Sequence, residues 1–326
     1  MSTELSPQVL PAPTGAPGEV VSKPAASRAR HGAPPPRRRA RAQLASVGQT
    51  SRAARSAAFV LGTVWLLIVL APIYYMVLNS FRSQGQYLSV DQWSPAGGLS
   101  LSSWGSVVSG SSGLWGDFLR SLVYAGGTIV VVVVLSELAS FRVVRKGSRV
   151  SRAAFPFVLF GLAIPIYAIL IPIYVAMVKV HLYNTLYGLV LATAASQIAV
   201  AVLLTVNYVR MVPPELFDAM AVDGASEGRV FASLVWPMSR PVVGVVSIFA
   251  GLGAWNNFVL PLILTSSNST AVLPLGLFKI STTESGYGVN VPVVLAGVVF
   301  SVIPLLLLYM LLRRQFVKGI GGFALR

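Results

Sequence analysis

Only 11% of the 326 residues are charged while 55% are apolar, at a mean hydropathy of +0.72, whereas a soluble domain carries about 25% charge. A water-soluble globule cannot hide that much apolar surface, so the implied solvent is lipid. The chain has a formal charge of +15, no cysteine and two histidines, His31 and His181, which excludes disulfides, thiolate metal sites and cysteine nucleophiles and leaves almost no histidine chemistry. No GxGxxG and no GxxxxGK phosphate loop occurs, so nucleotide chemistry, if involved, belongs to another subunit.

Residues 1–56 are rich in Pro, Ala, Ser and Arg and cannot bury enough apolar surface to fold, which predicts a disordered basic tail at a membrane surface rather than a nucleic-acid arm. Uncharged runs near the roughly 20 residues needed to cross a hydrocarbon core then occur at 57–78, 122–139, 153–178, 187–209, 242–265 and 291–312. Runs twice the length of a barrel strand that do not alternate predict an all-α integral membrane fold with six transmembrane helices. The second run contains Glu137, and the third is interrupted by Pro156, Pro165 and Pro172. Lys and Arg number 9, 2, 5, 1, 3, 1 and 4 in successive connections, so alternate sides hold 21 and 4. That asymmetry predicts a six-span, multi-pass protein with both termini cytoplasmic.

The first external connection, 79–121, holds Tyr87, Trp93, Trp104 and Trp115, aromatics suited either to a recognition surface or to packing on one another. Glu137 is the one charge within a run, and the nearby basic residues Arg142, Arg145 and Lys146 offer neutralisation, the alternative being ion coupling. Buried amides are expensive in lipid, so Gln197 and Asn207 in span four, with Trp255, Asn256 and Asn257 in span five, either join helices or line a wet path for a hydroxylated solute.

Residues 210–241 form the only cytoplasmic connection with more acid than base: Glu215, Asp218, Asp223 and Glu227 against Arg210, Arg229 and Arg240. Pro213-Pro214 suits a helix start, Leu216, Phe217, Met220 and Ala221 share one face, and Gly224 interrupts the pattern where a left-handed turn is cheap. Val230, Phe231, Leu234 and Val235 share a side of a second short helix that Pro237 stops. A net acidic helix–turn–helix on a membrane surface suits docking of a partner better than contact with headgroups.

The stretch Glu215-Leu216-Phe217-Asp218-Ala219-Met220-Ala221-Val222-Asp223-Gly224-Ala225-Ser226, followed by Leu234-Val235-Trp236-Pro237, resembles the EAA loop of permease subunits of binding-protein-dependent ABC importers. Further segments, among them Ile171-Pro172-Ile173-Tyr174, Trp255-Asn256-Asn257-Phe258 and Leu273-Pro274-Leu275-Gly276, are similar to the carbohydrate branch and its maltose-type second permease. Asp218 and Met220 stand where that family usually has Glu and Ala, and Phe141-Arg142 where it has an Ala-Tyr-Ala type run.

The resemblance implies a type I ABC importer permease over residues 57–326, with a coupling helix around Asp223 to Phe231 that sits on an ATP-binding subunit. It implies coupling roles for Glu215, Asp218, Ala219, Asp223, Gly224, Ala225, Ser226, Phe231 and Pro237. It also implies a second homologous permease, two ATP-binding subunits that use ATP and Mg, and an extracytoplasmic solute-binding protein, with no catalysis and no cofactor in this chain. The solute expected is a sugar or oligosaccharide, and the location implied is the plasma membrane of a prokaryote. The rival, an ion-gradient-driven secondary transporter or channel, needs charged mid-membrane sites on repeated halves, which this sequence lacks. A membrane hydrolase lacks any Ser/His or His/Asp constellation.

Overall fold

The computed structural model describes residues 52–145, 149–282 and 288–321; the predicted disordered tail at 1–56 lies almost wholly outside them. Contacts divide the chain into Met1–Val64 and Trp65–Arg326. Helix α1, Arg52–Ser80, begins in the first unit and runs on into the second. Its apolar side chains, Leu66, Leu67 and Ile68 among them, are exposed, as lipid contact requires.

Beyond α1 the chain folds around one buried arginine. Arg82 donates from Nη1 to Asn79 Oδ1 (3.0 Å) and Asp91 O (3.3 Å), and from Nη2 to Ser94 O and Ala96 O. Its carbonyl accepts from Ser103 Oγ at 2.7 Å. Five oxygens thus surround a residue that could not otherwise be buried. Ser83 and Gln86 close a capping box that starts α2, Gln84–Ser89, and α3, Ser102–Val108, follows. The connection's aromatics pack on one another: Trp93 against Tyr75, Trp104 against Phe81, Trp115 against Phe118, while the Tyr75 and Tyr87 hydroxyls lie 2.9 Å apart.

Where the uncharged run predicts a span at 122–139, helix α4 extends over Leu114–Val144. The added first turns carry charge that is satisfied locally. Asp117 pairs with Arg120, Arg120 Nε donates to Ala271 O at 2.7 Å, and Ser121 Oγ accepts from Leu273 N at 2.7 Å. The third span is broken. Helix α5, Arg149–Phe160, gives way to two 3₁₀ turns on either side of Pro165, and α6, Leu170–Lys179, leaves the break at 99° to the preceding half. Helix α7, Leu186–Val209, starts with the Thr185 side chain accepting from Gly188 N. A Cβ at Gly188 would run into the Leu182 carbonyl, so the turn entering α7 requires glycine.

Helices α8, Pro214–Val222, and α9, Glu227–Val230, precede a wide π-type turn at Phe231–Val235 and then α10, Trp236–Trp255. Span five also departs from its expected continuous course over 242–265. It stops at Asn256, and Asn257 Oδ1 accepts from Leu260 N (3.2 Å) to open the short α11, Val259–Leu264. Helix α12, Leu273–Thr282, and α13, Val291–Gly321, complete the fold. Of the six expected spans, the first, second and fourth are continuous apolar helices, the third is the bent pair, the fifth is the helical run Glu227–Trp255 broken at Asn256, and α13 carries the sixth, with Val291–Leu307 its described apolar stretch.

Helices α4, α7 and α10 meet through Val132, Val133, Ala194, Ala201, Val246 and Ala250, small and β-branched residues that let helices approach closely. Their buried hydroxyls stay satisfied: Tyr124 OH and Thr193 Oγ1 are 2.6 Å apart, and Thr205 Oγ1 donates to Ala201 O at 2.7 Å.

Candidate coupling segment and transport cavity

The helix–turn–helix expected at 210–241 is present. Pro214 opens α8, and at its end Gly224 takes φ +67° while Ala225 N reaches back to Met220 O (3.0 Å). Ser226 then caps α9, its hydroxyl accepting from Arg229 N at 3.4 Å. Of the four α8 residues expected to share one face, Phe217 and Met220 turn inward. With Ala225, Phe231 and Leu234 they pack on buried Phe141, Val209, Val230 and Val235. Leu216 and Ala221 are exposed instead, beside Glu215, Asp218, Ala219, Asp223 and Gly224, and Val222 is 89% exposed. Pro237 does not stop the second helix as expected: the helical run Glu227–Trp255 continues through it, because a proline is tolerated in the first turn of α10, where it lies half-buried. The segment therefore shows the surroundings an acidic rim around apolar Leu216, Ala219 and Val222, a surface suited to a partner with a complementary cleft.

Arg142 and Arg145, at the end of α4, do not serve Glu137. Arg142 Nη1 and Arg145 Nε contact the two carboxylate oxygens of Glu227 at 2.9 and 3.2 Å, and Lys146 lies outside the described residues. Glu137, 1% exposed, instead accepts from Ser239 Oγ on α10 at 2.9 Å. Glu137 faces the helix interface, whereas the arginines at the helix end reach across to the loop.

A cavity of about 500 Å³ opens where the two broken spans face each other. Gln197 from α7, Asn256 and Asn257 from the gap after α10, and Tyr167 and Leu170 from the break in span three line it. Three of the five pathway candidates thus come together. Trp255 turns away: it is buried, its Nε1 donates to Ser301 O at 3.2 Å, and its ring meets Phe118 edge-on. Asn207, near the end of α7, is exposed and does not line the cavity. Tyr167 escaped the sequence reading because only the 99° bend brings it to the cavity. Every residue on the wall is formally uncharged, and broken helices are tolerated in a membrane where they line such a space. Gln197 also borders a smaller apolar chamber with Val132 and Phe249, and Gly253 brings the α10 backbone against its side chain. Among the described residues, no three His, Asp or Glu side chains converge as metal ligands.

A helical bundle with two broken spans, an uncharged amide-lined cavity and an exposed acidic elbow is the architecture of a solute-translocating membrane protein. Residues 132–322 match the family model described as binding-protein-dependent transport system inner membrane component, and the chain belongs to that family. It is 26% identical over 269 residues to the diacetylchitobiose uptake system permease protein NgcG of Streptomyces coelicolor, covering 79% of this chain and 84% of the relative. It is 27% identical to the arabinooligosaccharides transport system permease protein AraQ of Bacillus subtilis, over 78% and 91% of the two chains. Among solved structures, it shares the fold of a chain from a bacterial ABC transporter involved in the import of the acidic polysaccharide alginate. There the TM-score is 0.72 at 19% identity, covering 82% of this chain and 98% of the other.

Proposed function

We propose that this chain is the permease subunit of an ATP-driven importer for a neutral sugar or oligosaccharide. In this reading it pairs with a second, homologous permease and two subunits that hydrolyse ATP with Mg, and receives solute from an extracytoplasmic binding protein. Both termini and the elbow at 210–241 face the cytoplasm. Family membership supports the importer reading, and relatives named for diacetylchitobiose and arabinooligosaccharides support the solute class. The observation that carries the solute assignment is the uncharged wall of the cavity between the broken spans. Amides at Gln197, Asn256 and Asn257 donate to and accept from hydroxyls, and the Tyr167 ring offers a face to a sugar's C–H surface.

The elbow does the mechanical work. Its exposed face, with Glu215, Asp218, Ala219, Asp223 and Gly224, docks on an ATP-binding subunit, while its buried face, with Phe217, Met220 and Phe231, holds it to the bundle. Closure of the ATP-binding subunits drives transport only if they prefer one permease state over the other. The test is reconstitution of the assembled complex in proteoliposomes with its binding protein. ATP-dependent uptake of labelled neutral oligosaccharide is expected; uptake driven by an ion gradient without the ATP-binding subunits would overturn the assignment.

A further inference from the structure

The packing of α4 indicates where the stroke received by the elbow goes next, an inference that rests on the importer reading above. Helix α4 holds the stretch 227–239 at three heights. Deepest, Glu137 Oε2 accepts from Ser239 Oγ at 2.9 Å, fully buried. About one turn on, the Phe141 ring lies 5.5 Å from that of Phe231, among Val230 and Val235. At the helix end, Arg142 and Arg145 each take one carboxylate oxygen of Glu227, at 2.9 and 3.2 Å. The three contacts reach α9, the π-type turn and the first turn of α10 in succession.

We propose that α4 and residues 227–239 move as one body during transport, and that Glu227 is the positioning residue that keeps the outer end of that body closed. The two inner contacts are shielded from water. A carboxylate bonded in the interior and rings packed among buried valines resist separation. The Glu227 contact is exposed and engages both oxygens, so it fixes orientation while contributing little to folding. Its loss loosens the lower end of the body without unfolding the bundle, and part of each stroke is then spent in bending the elbow against α4.

Because the chain has no cysteine, Arg142→Cys with Glu227→Cys supplies a unique thiol pair for a short bismaleimide. In the assembled importer in proteoliposomes, Glu227→Gln is expected to leave the permease level in the membrane unchanged. Solute carried per ATP should fall by up to about fivefold, the range open to an exposed ion pair. Exchanging the charges, Glu227→Arg with Arg142→Glu and Arg145→Glu, should restore that ratio. The cross-linked double-cysteine importer should transport as the unmodified one does, and the same protein without cross-linker should behave like Glu227→Gln. An unchanged ratio in Glu227→Gln, or transport blocked by the cross-link, would overturn the proposal. An unmodified importer that shows no ATP-dependent uptake would sink the functional reading as well, so the two failures are distinguishable.

Discussion

Glu137 is an acid in a helix interface whose carboxylate, among the described residues, accepts from the Ser239 side chain. Removing that hydroxyl leaves a buried carboxylate less satisfied, so Ser239→Ala should lower stability by about 1–3 kcal/mol. Glu137→Gln, which keeps shape and sheds the charge, should cost less. Thermal unfolding of the purified complex in detergent reads the difference, and equal losses would count against the pairing. Gly224 is a different kind of residue. A Cβ there would meet nothing within 4 Å, so the requirement is its φ of +67° and not space. Gly224→Ala should cost about 1–2 kcal/mol from the left-handed backbone alone. Gly224→Pro cannot adopt that angle and should abolish uptake with membrane levels unchanged, as immunoblots beside uptake assays would show. The sequence placed both residues correctly in their helix and turn. It missed the partner of Glu137, because Ser239 is 102 residues away while three basic residues lie close in sequence.

At the scale of elements, the spans were legible by length and the breaks were not. Residues 242–265 form one uncharged run, yet the helix ends at Asn256, because Asn257 turns its side chain to the next backbone N–H and opens α11. Composition cannot register that exchange of one hydrogen bond for another. The prolines of span three were visible, but their consequence, a 99° bend that carries Tyr167 to the cavity, depends on what α7 and α10 leave open. The charges at Asp117 and Arg120 had the opposite effect: they truncated an expected helix that in fact runs on through them, since each meets its partner. From the cavity wall it follows that Gln197→Ala and Asn256→Ala should raise the KM for solute more than they lower kcat, through lost hydrogen bonds of about 0.5–1.5 kcal/mol each. Gly253→Leu should reduce uptake, because its side chain displaces the Gln197 amide and enters the cavity that Gly253 lines. Concentration-dependent uptake in proteoliposomes checks all three; a Gly253→Leu variant with normal uptake would place the path elsewhere.

For the whole molecule, an uncharged cavity wall makes a statement about solutes. Burying an unpaired carboxylate against amides and aromatic rings costs several kcal/mol more than burying a neutral ring. Neutral oligosaccharides should therefore be carried and uronate oligomers of the same length should not, in competition assays with labelled solute. Transport of both alike would show that this cavity does not discriminate.

The Arg82 knot bears on how such a chain is made. Its guanidinium finds every partner between Asn79 and Ala96, so it can tie as soon as that short stretch clears the bilayer, while the ribosome is still synthesising later helices. From then on the first span ends in a compact polar plug too costly to drag back through lipid. A helix tied off in this way holds its end at the bilayer surface through contacts of its own neighbourhood, independently of the helices that follow.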